Sequence, residues 1–190
     1  MKKPFLILSL FITIQTLANG IFNVKDYGAK GDGTTLDHTA INKAIDAAVA
    51  QGGGQVLLPA GTYLCGSIHL KSNIDLHLSA GATILASPAS MKAYDESEVF
   101  GAPEYQDGGH TYFHNSLIWA EGQHNVSITG QGMIDGEGLT KRDTEKGGNV
   151  QGGSIGTGDK AIALKQCRNI AIRDITIFRG GHFAIIVTGC

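Results

Sequence analysis

A short phrase returns along this chain at a fixed step. Ile162-Ala-Leu-Lys-Gln-Cys167 comes back as Ile185-Ile-Val-Thr-Gly-Cys190, 23 residues later. A second phrase, Asn followed by alternating β-formers, occurs as Asn73-Ile-Asp-Leu, Asn125-Val-Ser-Ile and Asn169-Ile-Ala-Ile. The last two copies lie 44 residues apart, two steps of 22. Strands that recur every twenty-odd residues form a coil whose turns stack. One turn cannot bury its apolar side alone, so each depends on the next. The crossings between strands are too short for helices. The pattern predicts an all-β chain folded as a right-handed parallel β-helix. The repeated Asn, placed just before a strand, is expected at a left-handed corner or in a side-chain ladder. Cys190 falls in mid-repeat, so the coil is expected to be truncated on its C-terminal side.

The first residues read differently. Lys2 and Lys3 precede an apolar run from Phe5 to Leu17, with small residues at Ala18 and Gly20. That layout predicts a signal peptide over residues 1–20 and a secreted or periplasmic protein. As a membrane anchor the run falls short of the ~18 apolar residues a span needs, and no other segment is apolar enough to cross a membrane. Charge is uneven. Residues 21–139 hold 5 basic and 13 acidic side chains, and residues 140–190 hold 8 and 4. The basic last third suits an acidic ligand, or is a solvated face of mixed sign. No nucleic-acid motif occurs. Three cysteines make no disulfide framework. Cys167 and Cys190 occupy equivalent places on successive turns, ~4.8 Å apart and within bridging range. In-register side chains point in parallel, however, which predicts two buried free thiols.

Local patterns place the elements. Ile21 to Tyr27 predicts a strand. Thr34 to Gln51 predicts one helix, with Thr35 or Asp37 as cap, a stripe of Ala40, Ile41, Ala44, Ile45, Ala48 and Val49, and Gly52-Gly-Gly54 as its end. A lone helix before a stack of strands is expected to cover the open first turn. Ile68, Leu70, Ile74, Leu76 and Leu78 alternate with His69, Asp75 and His77, the polar set facing outward. Ser87–Asn115 and Glu137–Gly158 break the pattern as polar insertions.

Several blocks resemble glycoside hydrolase family 28, the polygalacturonase family. They are Phe22-Asn-Val-Lys-Asp-Tyr-Gly-Ala-Lys-Gly-Asp-Gly33, Gly52-Gly-Gly-Gln-Val-Leu-Leu-Pro-Ala-Gly-Thr-Tyr63, Leu70-Lys-Ser-Asn-Ile-Asp-Leu-His-Leu and Asn125-Val-Ser-Ile-Thr-Gly-Gln-Gly-Met-Ile-Asp-Gly136. The resemblance covers residues 21–190 and implies the N-terminal part of a parallel β-helix glycosidase domain. It implies inverting hydrolysis of α-linked galacturonate in pectic polysaccharide, with one carboxyl as acid and another as base. No cofactor is implied. The family's Asn-Thr-Asp, Asp-Asp, Gly-His-Gly and Arg-Ile-Lys motifs are absent, so the resemblance implies that the catalytic residues lie beyond Cys190. Gly181-His182-Phe183 is not the Gly-His-Gly motif, and Glu137-Gly-Leu-Thr-Lys141 stands where the family often carries an aromatic pair.

Four groups inside the chain are candidates for chemistry. Asp135 and Glu137, at i and i+2, share a strand face and form either a carboxylate pair or a strand-end turn. His110 and His114 have metal-ligand spacing on a helix, but their glycine-rich surroundings suggest a loop, and no metal site is expected. His182 is a candidate substrate contact or a corner histidine. Trp119 is expected in the core, with a sugar platform as the alternative. Two other functions stay open: a β-helix module that binds polysaccharide without cutting it, and a pectin lyase-type elimination using Ca²⁺ or a basic arginine.

Overall fold

A computed structural model of the chain describes residues 20–98, 112–140 and 156–190. Residues 1–19, with most of the expected signal peptide, lie outside them, as does His110. The described strands form three parallel sheets. Sheet A holds Gly20–Asn23 (β1), Gly54–Leu58 (β3), Ile74–Leu78 (β6), His124–Gly130 (β9) and Arg168–Ile172 (β12). Sheet B holds Asp32–Leu36 (β2), Gly61–Cys65 (β4), Ala82–Ala86 (β7), Met133–Asp135 (β10) and Thr176–Phe178 (β13). Sheet C holds Ile68–His69 (β5), Ser116–Glu121 (β8), Lys160–Lys165 (β11) and Phe183–Thr188 (β14). From β3 onward the chain visits A, B and C in turn and then climbs one strand, with α1 in place of a sheet C strand in the first turn, which makes a right-handed parallel β-helix. The repeat is the strand register itself: Ile162 pairs with Ile185 and Leu164 with Val187.

The interior follows from alternation. Val56, Leu58, Ile74, Leu76, Leu78, Ile84, Ile118, Ile128, Ile134 and Ile162 face inward and are essentially solvent-free. Each such side chain contributes about 1.5–3 kcal/mol of burial. The last rung is more open: Phe178, Ile185 and Val187 are about half exposed.

Asn73, Asn125 and Asn169 combine both expected roles. All three have left-handed backbone, with φ of 64°, 53° and 56°. Asn125 Nδ2 donates to Asn73 Oδ1 at 2.8 Å, and Asn169 Nδ2 donates to Asn125 Oδ1 at 2.7 Å. Asn tolerates this corner because its short amide bonds locally. Asn125→Ala removes the middle rung and keeps the strained φ, so it is expected to cost about 1–2 kcal/mol. Asn125→Gly relieves the backbone and should cost less. Urea titration that finds the Ala variant no less stable than the Gly variant would contradict this account.

The helix (α1) spans His38–Ala50, shorter than Thr34–Gln51. Asp32 is the reason. Its carboxylate accepts from the backbone N–H of Thr34 and Thr35 and from both hydroxyls. That turn holds the segment extended as β2 against β4. Asp37 stands at the N-cap position but makes no side-chain cap bond. Its carboxylate accepts instead from the N–H groups of Lys30 and Gly31, at 2.6 and 2.8 Å. The expected strand over Ile21–Tyr27 likewise stops at Asn23, whose side chain caps a 3-10 turn over Val24–Tyr27. Ala40, Ile41, Ala44, Ile45 and Ala48 of α1 are buried, whereas Val49 is 39% exposed. At the helix end Gly53 has φ 122°, and a Cβ there would come within 2.4 Å of the Asn73 carbonyl oxygen.

Candidate functional site: the outer face of sheet C

Both insertions leave the coil at one corner, between sheets B and C: β7 to β8, and β10 to β11. Their described ends pack over sheet C. Tyr94, Tyr112, Phe113 and Leu139 are buried there, and β11 is buried at five successive residues, Lys160 to Leu164. A strand covered on both faces loses its in–out alternation.

Beyond that cover lies a ring cluster. Trp119 is on the outer face, partly exposed, in register with His69 and Ala163. The core placement expected for it is overturned, because inward burial on β8 passes to Ile118 and Ala120. His114 stacks on Trp119 with ring centroids 4.0 Å apart, and His69 lies tilted at 5.0 Å. Asp95, from the first insertion, holds both rings of one edge. Its Oδ2 accepts from Trp119 Nε1 at 2.8 Å and from His69 Nε2 at 2.6 Å. Asp95 is itself placed by Ser67, whose Oγ accepts from the Asp95 amide and donates to the Ser116 carbonyl. Asn42 of α1 accepts from the His69 amide and donates to the Ser67 carbonyl. The helix thus orients the site as well as closing the coil.

Charges follow the same geometry. Burial raises the Asp95 carboxyl, but the His69 and Trp119 donors outweigh it and leave the group below its ordinary value. His114 Nε2 pairs with Glu121 Oε2 at 2.9 Å, and Lys165 Nζ lies 3.0 Å from Glu121 Oε1. The Lys165 bond is the largest influence holding Glu121 down, with burial opposing it and His114 assisting. Glu98 accepts from the amides of Phe113 and His114 and so ties the two ends of the first insertion together. Burial lowers His38 nearby; its Nδ1 accepts from the Gly66 amide.

The Asp95 shift has a readable consequence. A carboxyl lowered on folding stabilises the protein above the unfolded value, about 4, and that contribution falls away as pH drops through the folded value. Trp119 is the one tryptophan of the chain. Its fluorescence is expected to change below about pH 4, and in Asp95→Asn the acid transition should disappear. An unaltered transition in that variant would remove Asp95 as its source.

The other candidates fall elsewhere. Asp135 ends β10 and Glu137 lies in the turn beyond it, so they share no strand face; Arg179 holds both, Nε to Asp135 Oδ1 at 2.7 Å and Nη1 to Glu137 Oε1 at 3.0 Å. Asp135 Oδ1 also accepts the Glu137 amide. Two carboxylates sharing one guanidinium make a strand-end clamp. His182 opens the turn into β14. Its amide donates to the Asp159 carbonyl at 2.7 Å, and its ring meets Phe183 edge-on. His114 is engaged by Glu121 and Trp119, and among the described residues no group of three His, Cys, Asp or Glu side chains is placed to hold a metal. Cys65, Cys167 and Cys190 are free thiols. Burial raises Cys65 and Cys167. Cys190 is exposed, contrary to expectation: β14, which precedes it, is an edge strand of sheet C among the described residues.

A family model described as rhamnogalacturonase A/epimerase, pectate lyase-like, matches residues 21–188. The chain belongs to this family. One similar protein is the exo-poly-alpha-D-galacturonosidase of Dickeya chrysanthemi, 36% identical over 128 residues, covering 66% of this chain and 21% of the relative. Another is the plasmin and fibronectin-binding protein A of Streptococcus pneumoniae, 36% identical over 156 residues, covering 81% of this chain and 20% of the relative. The chain therefore spans about a fifth of the length of these curated relatives. Among solved structures, the family 28 exopolygalacturonase of Yersinia enterocolitica superposes with a TM-score of 0.64 at 27% identity, covering 90% of this chain and 38% of that one. The likeness to family 28 is thus homology along the rhamnogalacturonase/epimerase-type coil. The ring cluster on sheet C carried no sequence signature, because Asp95 and His114 come from an irregular insertion and His69 from a two-residue strand.

Proposed function

We propose that this chain forms the opening rungs of a secreted, polygalacturonase-like hydrolase, and that the outer face of sheet C holds a segment of pectic polysaccharide. The observation that carries this reading is Trp119, set outward and held by Asp95 between two imidazoles. The partly exposed edge of this ring stack offers apolar surface to the C–H side of a sugar ring, and His69 and His114 flank it with polar ring edges. The relative from Dickeya chrysanthemi, named for galacturonosidase action, supports the substrate class. The acid and base of hydrolysis are assigned to residues outside this chain, since Asp135 and Glu137 are both bound by Arg179.

A second reading, binding without cleavage, is favoured by the likeness to the pneumococcal plasmin and fibronectin-binding protein. One experiment separates them. The full gene, with the residues that this proposal places after Cys190, is expressed with its leader, and the product is recovered from the exported fraction, sequenced from its N-terminus and incubated with polygalacturonate. Removal of residues 1–18 to 1–20 and release of reducing ends are expected of that product, with Trp119→Ala raising KM about tenfold, and the 190-residue chain alone is expected to release none. Binding without new reducing ends would favour the adhesive reading. Products absorbing in the ultraviolet would indicate elimination, and an N-terminus at Met1 would overturn export.

A further inference from the structure

Sheet A carries a second organised polar surface, on a different sheet of the coil from the ring cluster. Its outward side chains form one network centred on Asp75. Asp75 Oδ1 accepts from Ser127 Oγ and Thr129 Oγ1, both at 2.8 Å, and Oδ2 accepts from Gln55 Nε2 at 3.0 Å. These residues come from three adjacent strands, β3, β6 and β9. His77 Nδ1 lies 2.9 Å from Thr129 Oγ1.

Hydrogen-bond accounting fixes the histidine. A hydroxyl has one proton, and Thr129 gives its proton to a carboxylate, which only accepts. His77 Nδ1 is therefore the donor to Thr129, and in the neutral ring Nε2 carries the lone pair. A groove of about 730 Å³ lies alongside, lined by Gln55, Asp75, His77, Thr129, Arg173 and Asp174 among others. A second groove of about 470 Å³ shares Gln55 and Asp75 and reaches Ile21, Asn125 and Ser127. Together they run from β1 to the end of β12, five strands and about 19 Å of coil axis.

We propose that this double groove on sheet A is a second saccharide-binding site, taking an acidic polysaccharide segment laid along the coil. His77 Nε2 accepts a sugar hydroxyl. Arg173, which among the described residues lies 3.4 Å from its exposed neighbour Asp174, takes a uronate carboxylate. The network around Asp75 holds His77 in place before binding, which lowers the ordering cost. The proposal rests on the polysaccharide reading above but names a different face.

The test is an NMR titration of the isotope-labelled 190-residue chain with a galacturonate oligosaccharide, with a neutral oligosaccharide of equal length as comparison. Expected shifts fall in two groups, at Gln55, His77 and Thr129 and at Ile118, Trp119 and Ala163. His77→Ala should weaken the first group's apparent affinity about tenfold and leave the second unchanged. Shifts confined to the second group overturn the groove and leave the proposed function standing. Shifts confined to the first keep the groove and overturn the sheet C face. Absence of both overturns both. Equal response to the neutral oligosaccharide overturns the uronate assignment to Arg173.

Discussion

Ile45→Asp is expected to cost at least about 4 kcal/mol and to remove most of the protein's cooperative unfolding. Ile45 is fully buried at the centre of α1, in the core that α1 shares with the first rungs. An aspartate there is an unpaired charge in an apolar site, and it removes several apolar groups at the same time. Folded domains carry about 5–15 kcal/mol in all, so the midpoint should fall by about 10 °C or more. Lys43→Asp, on the exposed side of the same helix, should stay within about 0.5 kcal/mol. Calorimetry that finds Ile45→Asp as stable as the parent would show that α1 does not cover the coil.

The second large effect is expected at the corner where the insertions meet sheet C. Lys160 is completely buried, and its Nζ lies 2.6 Å from Asp159 Oδ1. Asn115 Nδ2 approaches the same oxygen at 3.3 Å. Asp159→Ala leaves an ammonium in the interior without that partner, and breaking such a pair costs about 3–5 kcal/mol. Adding Lys160→Met should restore most of the loss, because an apolar side chain of similar length suits the pocket. Urea titrations of the single and double variants measure the coupling. A single-variant loss below about 1 kcal/mol, or a double variant no better than the single, would show that the pairing of buried Lys160 with partly exposed Asp159 is not what holds this corner.

The sequence alone determined what local chemistry repeats. Recurring phrases set the parallel coil and its register, because identical rungs must stack in phase to bury their apolar sides. Asn73, Asn125 and Asn169 announced their corner, because few residues other than glycine accept that backbone and only a side-chain amide extends the ladder. The outward placing of His69, Asp75 and His77 followed from alternation. The long match to a known family was also legible, since those blocks are turn and rung signatures.

Only the tertiary structure decided the rest. Thr34 and Thr35 have the pattern of a helix start, yet Asp32 and pairing with β4 hold them in a strand. Asp135 and Glu137 look like a paired acid and base in one dimension. Arg179, 44 residues from Asp135, converts them into a clamp. Trp119 reads as core until the rung places Ile118 inward instead. The Asp95–His69–Trp119 contact and the Asp75 network join residues on different turns, separated by 20 to 54 positions. Such contacts leave no periodic trace, because a coil brings together whatever side chains its register stacks, and their chemistry exists only after the rungs have closed.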